Sequence, residues 1–157
     1  MLYCQLGVDK MSLKLDGWED RLDDYTKSKL DLPFAWGSND CWAFSSGAIT
    51  AMTGHDMSHF IRGKYNTKFG ALKQAVKHSC KTLSEFERKT MNDIFQESPL
   101  SYKLEYGDVV IAHIATIDPT PSGPPIGIIS RNGYMLVPGK DSLVMTNQME
   151  IEVLWKL

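Results

Sequence analysis

The spacing of apolar residues along this chain changes near its middle. Up to about residue 98, apolar positions recur at intervals of three and four, the period of helices that bury one face. Trp18, Leu22 and Tyr25 form one such stripe, and Asp16-Gly17-Trp18-Glu19 reads as its start, with Asp16 as N-cap and Glu19 reaching back. Pro33 closes that region and predicts an extended segment to Trp36. A second helix is predicted from Asp40 or Cys41, burying Phe44, Ala48, Ala51 and Met52 and ending at Gly54. Ser45, Ser46, Gly47 and Ala48 are small enough for another element to approach it closely. A third helix is predicted from Thr67 to His78, with Leu72, Ala75 and Val76 inward. A fourth is predicted from Ser84 to Phe95, because Ser84 and Glu87 have capping-box spacing.

After Ser98-Pro99 the pattern becomes that of strands. Gly107-Asp108 leads into the run Val109 to Ile114, and a loop from Pro119 to Pro125 follows. Ile126 to Ser130 and Tyr134 to Val137 flank Arg131-Asn132-Gly133, a hairpin signal. Leu143 to Thr146 and Glu150 to Trp155 complete an antiparallel meander. Helices first and strands second is an α+β order. The expected organisation is one domain, 1–157, with an N-terminal arm (1–14), a helical half (15–98) and a sheet half (99–157).

Composition narrows the function classes. At 43% hydrophobic and 23% charged residues, the chain can build a packed core. Its formal net charge of −2 is spread over mixed acids and bases, so no basic stripe points to nucleic acid. No apolar run has the length of a membrane span, and Met1 to Lys14 lack a signal-peptide layout, which places synthesis and first release in a cytoplasm. Met1 and Met11 are both possible starts. Cys4, Cys41 and Cys80 form neither a disulfide framework nor a metal knuckle. His55 and His59 have metal-ligand spacing only if helical, and Thr53-Gly54 beside them predicts a loop with surface histidines. No cofactor or metal is expected.

The candidate chemistry lies at Asp40-Cys41. A thiol at a helix start feels unpaired N–H groups and the positive dipole end, which favour a thiolate and offer an oxyanion hole. Asp40 opposes the thiolate and suits capping better. The alternative is that Cys41 is a small buried residue behind a cap. A nucleophile needs a base, and His113 is the histidine of the strand region, expected on the face of Val109 and Ile111. His78 is expected as a solvated cation at a helix end.

The segment Phe34-Ala35-Trp36-Gly37-Ser38-Asn39-Asp40-Cys41, followed by Gly107-Asp108-Val109-Val110, resembles the NlpC-type cell-wall cysteine peptidases, which have a papain-like fold. Trp18-Glu19-Asp20-Arg21-Leu22, Thr53-Gly54 and Gly63-Lys64-Tyr65 resemble a divergent branch encoded by tailed bacteriophages. The resemblance places the nucleophile at Cys41. It places the family's catalytic histidine at Pro125 of Pro125-Ile126-Gly127-Ile128, where no proton can be exchanged, and the third polar residue among the apolar Met135 to Val137. The resemblance therefore implies a virion tail protein of the tip or hub, assembled in the host cytoplasm with other tail proteins as partners and without turnover. An active peptidase or amidase on peptidoglycan, using His113, and a tail-assembly protein absent from the particle are the alternatives. The Pro119 to Pro125 loop is the expected partner contact or, equally, a stiff surface loop.

Overall fold

The computed structural model describes residues 12–115 and 123–157. Four helices precede five strands: α1 (Trp18–Lys29), α2 (Cys41–Thr53), α3 (Lys68–Lys77), α4 (Leu83–Asn92), β1 (Val109–Ile114), β2 (Ile126–Ile129), β3 (Met135–Pro138), β4 (Leu143–Thr146) and β5 (Met149–Trp155). The protein is α+β, with one antiparallel sheet of order β4-β3-β2-β1-β5.

Helix α2 is the centre of the helical half because its small residues admit a neighbour. A Cβ at Gly47 would stand 2.2 Å from the Tyr25 hydroxyl, which itself donates to the Phe44 carbonyl at 2.7 Å. Arg21 of α1 donates from Nε to the Ala51 carbonyl at 2.7 Å, near the C-terminus of α2, where a cation is favoured. Leu22 lies between these contacts, fully buried. Asp16 does not cap α1. Gly17 holds the cap position in the left-handed region (φ 71°), and no side chain bonds the first turn. Gly54 ends α2 as expected, at φ 75°.

The inward face of α3 differs from the apolar pattern. Ala71, Gln74 and Ala75 are buried, whereas Val76 is 67% exposed. Helix α4 begins earlier than its expected box. Thr82 is the N-cap, accepting from the Glu85 N–H, while the Glu85 carboxylate accepts from the Lys81 N–H at 2.6 Å. Glu87 is thereby released from any capping role.

Four strands form the expected meander, but β5 leaves β4 and pairs with the free edge of β1. The centre of the sheet, β2, β3 and most of β1, is buried on both faces, whereas β4 and the first half of β5 are partly exposed. Val109, Ile111, Ile126, Ile128, Val153 and Trp155 join the helices in one core. Val110, Ala112, Ile129, Met135, Val137 and Leu154 form a second cluster opposite. Gly107 (φ 84°) lets the chain enter β1 against Trp18 and Met52, which a Cβ would meet at 2.8 and 2.9 Å. Asp108 then accepts from the Glu105 N–H and from Lys156 Nζ, at 2.7 and 2.9 Å. The Gly-Asp motif thus builds the corner that launches β1.

Candidate binding cleft at Cys41

The chain reaches α2 through a turn that only glycine fits. Gly37 has φ 84°, and a Cβ there would lie 2.2 Å from the Tyr65 carbonyl oxygen. Its N–H donates to Asp40 Oδ2 at 2.8 Å, the Tyr65 hydroxyl donates to the same oxygen at 2.7 Å, and the Ala43 N–H donates to Oδ1 at 2.8 Å. Asp40 is buried as the N-cap with both oxygens engaged. Trp-Gly, Gly-x-Tyr and Asp-Cys therefore form one hydrogen-bonded unit that fixes Cys41 as the first residue of α2.

Cys41 borders a cavity of about 230 Å³. Its walls are Phe34, Trp36, Trp42, Tyr65 and Phe86, and Gly123, Pro124 and Pro125 line another side. The polar lining comes from Asp40, Cys41, Gln74 of α3 and Glu87 of α4. Among the described residues no Lys, Arg or His lines the cavity. Beyond Cys41 and Phe34, a second depression runs along Pro138 to Ser142.

Electrostatics work against a thiolate. Burial pushes the Cys41 thiol well above its ordinary value, and negative charge on Glu87 and Asp40 adds to the effect; only its own backbone N–H acts the other way. The helix start favours the anion, as its position suggested, but that effect is typically ~0.3–1 kcal/mol and loses to desolvation beside carboxylates. Glu87 is 6% exposed, and burial first, then Asp40, pushes its carboxyl well above the usual range. It has no hydrogen-bond partner among the described residues. Tyr65 is likewise pushed up by burial and by Asp40, so it stays a phenol and a donor. The cleft therefore disfavours both the Cys41 thiolate and the Glu87 anion, while both Asp40 oxygens are taken up in hydrogen bonds.

A family profile matches residues 13–157, nearly the whole chain. The chain belongs to the DUF6950 family. That family is described as a domain of unknown function. No curated protein and no solved structure matches the chain.

The expected base is elsewhere in this DUF6950 chain. His113 is exposed near the end of β1, and its Nε2 lies 3.1 Å from Glu152. Glu152 is the extra residue of a bulge in β5, between the residues paired with Ile111 and Ala112. His113 is not among the lining residues of the cleft. His78 stands at the C-terminal end of α3 as expected, half-buried, with its ring 5.5 and 5.4 Å from those of Phe60 and Phe86. His59 Nδ1 lies 3.1 Å from the Asp56 carbonyl, and Asp56 pairs with Arg62. Among the described residues no group of three or more His, Cys, Asp or Glu is placed to hold a metal. No helix among them is long and apolar enough to cross a membrane. Cys4 and most of the Pro119 to Pro125 loop lie outside the described residues.

Sequence reasoning missed Glu87 and Gln74. The available signal for Glu87 was a second capping frame, Thr82 with Glu85, which frees Glu87 to point inward one turn into α4.

Proposed function

We propose that this chain is a structural component of a bacteriophage tail, at the tip or hub, with a papain-like fold of the NlpC type whose cleft binds rather than cleaves. The observation that carries the loss of turnover is the environment of Cys41: a half-buried cysteine whose thiol is desolvated beside Glu87 and Asp40, with Pro125 on the cleft lining where the resembled family carries its base. A carboxylic acid that resists ionisation cannot draw the thiol proton at neutral pH, and removal of one member of a catalytic unit forfeits most of its activity. The phage-tail context rests on the sequence resemblance, and its partners are other tail proteins.

Iodoacetamide alkylation of Cys41 across pH, read by peptide mass with Cys80 and Cys4 as internal controls, tests the loss of turnover. The expected result is labelling no faster than the controls at any pH, including above about 8.5, the ordinary thiol value. Fast labelling near pH 6 would overturn it. Immunogold labelling of purified particles tests the tail context. Particles without the chain would favour an assembly protein.

A second reading, an active cysteine peptidase acting on peptidoglycan, is favoured by one observation: Cys41 opens a helix and faces a cleft. It requires a base other than His113.

A further inference from the structure

We propose that the cleft is a site for an organic cation, a primary ammonium carried on an apolar body, with Glu87 as its counter-ion. The inference rests on the non-catalytic reading, because it uses Glu87 as a charge partner and not as a proton relay to Cys41.

Three observations converge. The first is charge: the acidic side chains of Asp40 and Glu87 line the cavity, and among the described residues no basic one does. An anionic ligand would meet Asp40 at once, whereas a cation would be attracted. The second is Glu87 itself, more than nine-tenths buried, lining the cleft, and without a partner among the described residues. A carboxyl that lines a cavity and is bonded to no other described residue is available to a ligand donor. Asp40 differs, since Gly37, Ala43 and Tyr65 already occupy its oxygens, so it contributes field and not a docking point. The third is the wall chemistry. Trp36, Trp42, Tyr65, Phe34 and Phe86 give the cavity an aromatic lining, the kind of wall that stabilises an ammonium and desolvates an apolar body.

The groups around Glu87 set the proton balance. Asp40 and Cys41 face it from α2, and Tyr65 from the loop before α3. The His78 ring packs on Phe86, one residue before Glu87 in α4. Of these, Glu87 is the group whose ionisation a bound ammonium would favour directly. Binding then expels the Glu87 proton to solvent, while the ammonium keeps its own protons.

Titration calorimetry on the full chain tests this, with 2-phenylethylammonium as probe and 2-phenylethanol and phenylacetate as neutral and anionic counterparts. The expected result is at least tenfold tighter binding of the ammonium than of the alcohol, no binding of phenylacetate, and a heat at pH 7 that changes with the ionisation enthalpy of the buffer. Glu87→Gln should reduce the ammonium preference to under twofold and abolish the buffer dependence. Trp36→Leu, an independent variant away from Glu87, should weaken the ammonium about fivefold through loss of a ring face. Equal binding of ammonium and alcohol, preference for phenylacetate, or no binding of any probe would overturn the inference. Its failure is separable from that of the non-catalytic reading: fast alkylation of Cys41 sinks the latter, and unselective binding beside an unreactive Cys41 sinks only the former.

Discussion

Two buried carboxylates stand at opposite ends of this molecule's logic. Asp108, at the corner before β1, is almost wholly enclosed and answered by Lys156 Nζ and the Glu105 N–H. Glu87, in the cleft beside Cys41, is nearly as enclosed and has no such answer among the described residues. Desolvation is comparable in kind, so the difference is pairing. A paired buried charge fixes local geometry, while a buried carboxyl without an ion-pair partner is pushed toward its neutral form and adds no such anchor. The corner is therefore built for the fold, and the cleft holds a carboxyl that the fold alone does not explain.

The largest test removes the pairing at the corner. Lys156→Met should cost about 3 kcal/mol, the low end of the range for stripping one partner from a buried pair, because Lys156 retains some solvent contact. Urea denaturation at constant m-value reads it, and an unchanged midpoint would break the contrast. The opposite sign is expected at the cleft: Glu87→Leu should stabilise by about 2 kcal/mol, since an apolar side chain removes the desolvation cost without stranding a partner. Destabilisation there would mean that Glu87 is compensated in the free protein.

The pH dependence sharpens the same point. The folded-state value of Glu87 is raised above the ordinary 4.5, so the folded state binds more protons than the unfolded chain above that pH. Its contribution is complete below about 4.5 and is lost as pH rises through the raised value. The slope approaches at most about 1.4 kcal/mol per pH unit for one proton. Glu87→Gln should flatten that part of the stability–pH curve, and an unaltered curve would show that another group titrates. The smallest effect concerns the frame that aims Glu87 inward. Thr82→Ala should cost about 1 kcal/mol through loss of the α4 cap. A thermal melt with no shift would return the capping role to the Ser84 frame.

That frame marks where the sequence was legible and where it was not. Period-two runs between turn residues place β1 and β4 at the expected residues, and the Asp40 cap with Gly54 bounds α2, because these signals are local and unopposed. At α4 two capping frames lie two residues apart in one stretch, and the choice between them rests on packing. Taking Ser84 as the cap hides Glu87 inside a box, and taking Thr82 exposes it to the cleft. At α3 hydropathy favours Val76 inward, but that face is occupied by Gln74 and two alanines, because the cavity wall there admits a polar side chain. The exposure of His113 also escaped periodicity, since alternation assigns a face but does not say how far along a strand the cover extends.

The return of β5 to β1 has a kinetic consequence. Strands β1 to β4 form pairings close in sequence, whereas the β1–β5 ladder joins residues such as Val109 and Trp155 across the intervening meander. Closing so long a loop is entropically slower than zipping a hairpin. Until it closes, β1 offers an unpaired apolar edge to any other extended chain. Refolding at rising protein concentration would show that window as a growing aggregated fraction, and a short peptide with the β5 sequence, Met149 to Trp155, would compete for the same edge.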